Sequence, residues 1–247
     1  MIELNKIYTM DCFEYLKQVP DGYFDLVLTD HPYGTTQNDW DKVVDLKKWW
    51  EEIHRVTKEN TAVISFSAQP FTTDLINSNR DNFRYSLVWD KVLPVGFLNA
   101  NRMPLRSHED ICVFYKKQPF YNPEKTQGFD RKIVKNRKCK KTTNYGDFND
   151  GGSYDSTERF PKSIMNFSNG GNRNSNVHPT QKPLDLAIYL LKLYAKQGFK
   201  VLDTFVGSGT IPVACKSLGL DFGGCDLLAK NVSITNKRLE TVQGILL

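Results

Sequence analysis

The sequence of 247 residues contains no apolar run close to the roughly 20 residues a membrane-spanning helix requires, so no bilayer is expected among its partners. Its first thirteen residues carry polar and acidic side chains where a signal peptide would carry an apolar core. The five cysteines (Cys12, Cys112, Cys139, Cys215 and Cys225) are odd in number, widely spread and without CxxC spacing. A disulfide framework and structural zinc are therefore not expected, and a reduced, cytoplasmic setting is. There is no repeat of fixed period, which argues against a solenoid. Nor is there an excess of acid: 33 Lys and Arg stand against 28 Asp and Glu, giving a net charge of +5 and an isoelectric point near 8.8. That balance permits a polyanionic partner without requiring one.

What is present suits one α/β domain with room for a small insertion. Apolar runs at 24–29 (FDLVLT) and 61–67 (TAVISFS) read as buried strands, with a helix over 46–56 between them, which makes one βαβ unit. Residues 85–89 and 111–115 also read as strands. Trp49 and Trp50, on the first helix, read as core packing with one exposed edge. From Lys116 to Asn176 the composition turns to Lys, Asn, Gly and Ser with few apolar repeats, as in a segment that binds rather than builds the core. Pattern then returns as a helix over 183–196, a strand over 201–205, a helix over 210–218, a strand over 222–227 and a last helix over 229–242. The fold expected is Rossmann-like: a mostly parallel sheet with helices on both faces and a polar insertion.

Three segments carry chemistry. Asp203-Thr204-Phe205-Val206-Gly207-Ser208-Gly209-Thr210 joins a strand to a helix, where glycines let the backbone turn sharply and approach a ligand. Asp226 closes the following strand, where such folds hold an acid against ribose hydroxyls. Asp30-His31-Pro32-Tyr33 ends the strand 24–29, at the edge where open α/β sheets bind ligands; taken alone it also fits an ordinary turn. His178-Pro179-Thr180-Gln181-Lys182-Pro183 precedes the helix leading to the glycine turn, and by itself reads as a loop with a helix-starting proline.

Together, in this order, the three segments resemble the β-class amino DNA methyltransferases, over almost the whole chain. In that family an Asp-Pro-Pro-Tyr motif comes first, a target-recognition insertion follows, and an HPTQKP-like segment precedes a DPFxGSGT cofactor loop. The resemblance implies the permuted form of the S-adenosylmethionine-dependent methyltransferase fold, with a catalytic half over 1–116, a recognition insertion over 117–176 and a cofactor-binding half over 177–247. It implies that Phe205, Gly207, Ser208, Gly209 and Thr210 line the methionine end of S-adenosylmethionine, supported by Asp203, with Asp226 on the ribose. Thr180, Gln181 and Lys182 would close over the methionine part, while Asp11 and Cys12 would meet the adenine of the cofactor; a helix-capping role explains Asp11 equally well.

For the target, the resemblance implies a flipped-out base in double-stranded DNA, with Asp30 and the His31 carbonyl accepting its amino hydrogens, Pro32 fixing the turn and Tyr33 stacking on the base. Asp30, where cytosine-specific relatives tend to have Ser, points to N6 of adenine; N4 of cytosine is the alternative. His31 stands where the family has proline, so restoring proline is expected to raise the rate by fixing φ. Thr204 also replaces a proline, with little effect expected. The run 131–141 offers Arg131, Lys132, Lys135, Arg137, Lys138, Lys140 and Lys141 to phosphates, or is only a solvated loop. Residues 101–115 resemble the family's strand beside the target pocket, and His108 with Glu109 lacks a third ligand, so no metal is expected. A homodimer stays open. Protein-glutamine methylation is disfavoured because there the glycine loop comes before the Pro-Tyr motif. An RNA substrate is harder to separate, and a pseudoenzyme is the rival of a different class.

Overall fold

The computed structural model describes residues 2–34, 41–135, 153–169 and 181–242, the side chain of Tyr154 excepted. In chain order the elements are β1 (Lys6–Thr9), α1 (Cys12–Lys17), β2 (Phe24–Asp30), α2 (Leu46–Val56), β3 (Thr57–Ser67), α3 (Phe71–Ser78), β4 (Phe83–Val95) and β5 (Arg106–Phe114). There follow β6 (Lys132–Val134), β7 (Tyr154–Ser156), β8 (Ile164–Asn166), α4 (Leu184–Tyr194), β9 (Lys200–Asp203), α5 (Thr210–Ser217), β10 (Asp221–Asp226) and α6 (Ala229–Thr241). Two compact units result, residues 1–122 with 163–247 and residues 123–162. The smaller unit holds the antiparallel pair β6–β7.

The larger unit is built on an eight-stranded sheet of order β1-β10-β9-β2-β3-β5-β4-β8. β1, β10, β9, β2 and β3 run parallel, whereas β5 is antiparallel to both β3 and β4. Every residue of β2 except Asp25 and Asp30 is buried, as a strand covered on both faces must be. Its side chains alternate between two cores. Leu26 and Leu28 join residues of α4, α5 and α6, while Val27 joins residues of α1, α2 and α3. The doubly covered, mostly parallel sheet is thus the one the sequence suggests.

α2 begins at Asp45, whose carboxylate accepts the Lys48 N–H at 3.1 Å, and it buries Trp49, Trp50, Ile53 and Val56 along one stripe. Neither tryptophan keeps the exposed edge expected of the pair. Trp50 is covered by α3, a short helix that the sequence pattern does not announce, whose Ser78 accepts its indole N–H at 2.8 Å, while the Trp49 indole donates to Thr204. Within 117–176, residues 163–169 pair with the main sheet through β8 and bury Met165, so this end of the segment builds core.

Candidate active site

Three neighbouring parallel strands, β10, β9 and β2, each end in an aspartate, namely Asp226, Asp203 and Asp30. Their carboxyl ends border a cleft of about 150 Å³ that also receives Gln181, Lys182, Phe205, Gly207 and Ser208. This is the edge at which open α/β sheets bind ligands.

The turn from β9 to α5 forms one wall. Gly209 has φ 83°, and a Cβ there would lie 2.5 Å from Thr235 Cγ2 on α6, so only glycine fits. α6 also holds the turn by its carbonyls: Thr235 Oγ1 donates to Gly207 O at 3.3 Å and Arg238 to Ser208 O at 2.5 Å. Asp226 fastens the other side. Its Oδ2 accepts the Gly207 N–H at 2.8 Å, and its Oδ1 accepts the Leu228 N–H at 2.9 Å and the Asn231 amide at 3.0 Å. This carboxylate therefore shapes the glycine turn as well as facing the cleft. Thr210 is buried, with its hydroxyl on Lys182 O at 3.2 Å, and so ties the turn to the segment before α4.

Asp203 is buried, and its Oδ1 accepts Thr29 Oγ1 at 2.9 Å and the Phe205 N–H at 3.1 Å. Oδ2 has no partner. Burial pushes the carboxyl up to about 7, against the pull of those two donors. Gln181 Oε1, on the same cleft, is a second buried acceptor without a partner among the described residues. Orphaned acceptors of this kind fit a ligand that brings donors.

Asp30 stands in a chain of alternating charges. Its Oδ2 meets the Lys182 ammonium at 2.8 Å, Lys182 reaches Glu109 at 3.3 Å, and Glu109 reaches Lys91 at 2.5 Å. The Tyr33 hydroxyl donates to Asp30 Oδ1 at 2.8 Å and lies 3.4 Å from Glu109 Oε2. Burial raises the Asp30 carboxyl, only partly offset by Lys182. For Glu109 burial also pushes upward, but Lys182 and Lys91 outweigh it and hold the carboxyl below its ordinary value. Burial alone would discharge Lys182, yet the two carboxylates keep its value raised. The Tyr33 ring stacks on Phe71 with centroids 5.5 Å apart and lies 5.3 Å from the Lys182 ammonium. Its hydroxyl meets Asp30 and so braces that carboxylate.

Sequence reasoning set Glu109 aside with the metal question and did not single out Lys91. Both reach Asp30 because β5 is antiparallel: its first residues lie where β3 ends, with Asp110 opposite Ser67, while β4 delivers Lys91 to the same edge. A signal was available in the acid-cation spacing only once that strand direction is known.

His31 turns away from this network. Its ring is buried, with Nδ1 at 2.8 Å from Ser65 Oγ, and packs 4.4 Å from Trp49, 4.8 Å from Phe205 and 5.6 Å from Phe71. Ser65 Oγ in turn donates to Phe66 O at 3.0 Å, so the imidazole is neutral with its proton on Nδ1. Burial lowers its pKa to about 3.

The remaining expected residues are placed as follows. β1 pairs Thr9 with Asp226, which brings Asp11 and Cys12 to the cleft's sheet edge, though neither lines the cleft. Asp11 caps α1 by accepting the Phe13 and Glu14 N–H groups, and burial with the nearby Asp11 pushes the Cys12 thiol up to about 12. In the smaller unit Arg131 is paired in two-pronged fashion with Asp155 at 2.7 and 2.6 Å, so its charge is locally offset, whereas Lys132 and Lys135 are exposed. Thr180, Arg137, Lys138, Lys140 and Lys141 lie outside the described residues. Among the described residues no group of His, Cys, Asp and Glu is arranged to hold a metal, and no helix is long and apolar enough to cross a membrane.

A family model described as DNA methylase matches residues 24–237, most of the chain and both halves of the cleft. The chain belongs to this N6/N4 DNA methylase family. Among similar proteins, Type II methyltransferase M1.MboII of Moraxella bovis is 26% identical over 96% of both chains. Type II methyltransferase M.BglII of Bacillus subtilis is 30% identical over 94% of this chain and 68% of its own. The crystal structure of the M1.HpyAVI-SAM complex superposes with a TM-score of 0.65 at 21% identity, covering 94% of this chain and 98% of that one, a likeness of fold.

Against the pattern of the DNA methylase family, both replaced prolines acquire contacts a proline could not make, and they make them with one partner. The Trp49 indole N–H donates to Thr204 Oγ1 at 3.2 Å, while His31 packs edge-on to the same ring. Thr204 is buried and also lies 3.3 Å from Thr29 Oγ1, so the small effect foreseen for it is not what the packing indicates. Burial of the imidazole supplies the anchoring that ring closure would supply in proline. His31→Pro is accordingly expected to lower stability by ~2–4 kcal/mol, read from the urea midpoint, with no gain in rate, since it empties a site between aromatic rings. His31 also sets an acid response. With its folded pKa below its unfolded one, the unfolded chain takes up the extra proton, so stability falls as pH drops below about 6.5 and the loss levels off near the folded value of about 3. His31→Gln should lack that one proton's share.

Proposed function

We propose that this DNA methylase transfers the methyl group of S-adenosylmethionine to N6 of an adenine flipped out of double-stranded DNA, at a specific sequence as its Type II relatives suggest. The observation that carries the reading is that Asp30 and the glycine turn border a single cleft. The unpaired Asp203 Oδ2 and Gln181 Oε1 suit the amino and hydroxyl donors of the cofactor, and the Gly207 turn held by Asp226 suits its close approach. In this reading Phe205, Gly207, Ser208, Gly209 and Thr210 form the methionine end with Thr180, Gln181 and Lys182 closing over it, Asp226 meets the ribose, and Asp11 and Cys12 serve the adenine.

When bound, the cofactor supplies an electrophilic methyl group on sulfur. An exocyclic amine is a poor nucleophile because its lone pair is shared with the ring. Asp30 accepts one amino hydrogen and the His31 carbonyl, set by Pro32, accepts the other, which pulls the nitrogen toward tetrahedral geometry. Asp30 does not need to remove a proton first, since the neutral amine is far too weak an acid. Once the new C–N bond forms, the nitrogen is positively charged, and Asp30, with its value already raised by burial, takes the surplus proton. Tyr33 and Lys182 hold its two oxygens in place meanwhile. The choice of adenine rests on Asp at position 30.

Incubation with labelled S-adenosylmethionine and varied DNA, followed by nucleoside analysis, tests the reading. N6-methyladenine is expected; N4-methylcytosine would overturn the base, and no label the transfer itself. Two further outcomes follow. If the cofactor amine pairs with Asp203, binding needs its carboxylate form, so affinity should rise by up to about tenfold per pH unit from pH 5.5 to 7, and Asp203→Asn should flatten that profile in calorimetry. In the basic run, neutralising Lys132, Lys135, Lys138, Lys140 and Lys141 should lower the salt slope of DNA binding by about one unit for each phosphate left without its lysine. Arg131, already matched by Asp155, should contribute least.

A further inference from the structure

Beyond the cleft, the connection between β4 and β5 is unlike the rest of the surface. Phe97 is 73% exposed and Leu98 fully so, and Val92, Leu93 and Met103 are exposed as well. Such a group of large apolar side chains in water marks a contact surface. From Lys91 to Ser107 there is no Asp or Glu, and Arg102 and Arg106 are exposed with no carboxylate partner among the described residues. The hairpin therefore combines apolar tips with unneutralised cations.

Its root is in the active site. Asp90 pairs with His108 where β4 and β5 leave the sheet, and the next residues along, Lys91 and Glu109, bond to each other within the charge network of Asp30. Because β4 runs parallel to β2 and β3, the hairpin projects beyond the carboxyl edge that bears Asp30. Phe97 lies seven residues past Asp90, an extended reach of up to about 23 Å. At its start Val92 adopts φ 64°, a conformation sterically disfavoured for a β-branched residue, with its N–H held by Asp90 Oδ1 at 2.9 Å. The register also shifts between Asp90 and Val95. The turn out of the sheet is thus built in, as bulges that re-aim a strand are.

The geometry points to this hairpin as a wedge that enters the base stack of duplex DNA beside the target, Phe97 and Leu98 filling the gap left by the flipped base while Arg102 and Arg106 meet the flanking phosphates. Apolar side chains inserted between base steps are a general means of unstacking a duplex, and guanidinium groups suit the phosphates on either side. A second copy of the chain fits less well, because a two-fold contact through this hairpin would set the same unpaired arginines near one another. The assignment rests on the base-flipping reading of the site and adds the element that opens the pair.

The test uses the full chain and a duplex with a single methylatable site, mapped by sequencing DNA that the parent protein has modified. A second duplex is identical except for an abasic site opposite the target, so that no pair has to be opened. In single turnover, the double variant Phe97→Ser, Leu98→Ser is expected to be on the order of tenfold slower than the parent on the paired duplex, and within about threefold of it on the abasic one. Equal rates on the paired duplex, or equal slowing on both, would overturn the wedge. So would sedimentation showing that the parent is a dimer and the variant a monomer, since the hairpin would then join two copies. A parent that labels neither duplex would instead overturn the methyltransferase reading beneath it.

Discussion

Asp30→Ala is expected to slow single-turnover methylation by about 10²–10³-fold or more while leaving the affinity for S-adenosylmethionine within about threefold of the parent. The split follows from what each wall of the cleft does. The glycine turn and its clamps, Asp226, Thr235 and Arg238, lie on β10 and α6 and do not touch Asp30. In the proposed mechanism Asp30 is instead the acceptor that frees the amine's lone pair and later removes its proton. Asp30→Asn preserves the shape and one acceptor but cannot take that proton, so it should lose nearly as much. Retention of more than a tenth of the parent rate in both variants, with cofactor binding intact, would move the chemistry to another residue.

Lys182→Met should cost about 3–5 kcal/mol of stability, measured by denaturant unfolding, because it leaves Asp30 and Glu109 buried without the cation they share. The loss should also depend on pH in a definite direction. Lys182 lowers both carboxyls, so its removal lets burial raise the Asp30 value further and takes from Glu109 one of the two cations that hold it down. A carboxyl raised in the folded state binds protons more strongly there, so stability is greatest below the unfolded pKa near 4 and falls as pH rises through the folded value. The deficit of Lys182→Met should therefore grow between pH 5 and 8. Adding Glu109→Gln removes one stranded charge and should return part of the loss. A deficit independent of pH would show that Lys182 acts through the packing of its buried side chain rather than its charge.

The glycine turn and Asp30-His31-Pro32-Tyr33 are legible in the sequence because each works through contiguous residues with unusual backbone demands, and so are the long helices and buried strands, whose periodicity is strong. β1 is not, since four residues with one buried side chain carry no period. Glu109 is illegible as a partner of Tyr33 because 76 positions separate them and only an antiparallel strand joins them. The imidazole of His31 misleads for a related reason. Beside a reactive carboxylate it reads as a weakened proline, and its actual partners, Ser65 and Trp49, lie on β3 and α2. Local chemistry is written locally; the groups that brace it depend on which strands lie side by side.

The strand order also sets when in its life the protein can work. β2 is synthesised early, yet its neighbour β9 arrives only after most of the chain, and Thr29 must wait 174 residues for the Asp203 carboxylate it holds. β1 waits longer, for β10, with Lys6 meeting Gly223. At about 5–20 residues per second of synthesis, the first half emerges seconds before either partner strand exists, with an unpaired edge at Leu26 and Val27. No nascent chain can then form the cleft, because two of its three strand-end aspartates have not been made. A message cut short before β9 should yield a product that neither holds the cofactor nor marks DNA, since Asp203 and Asp226 would both be missing.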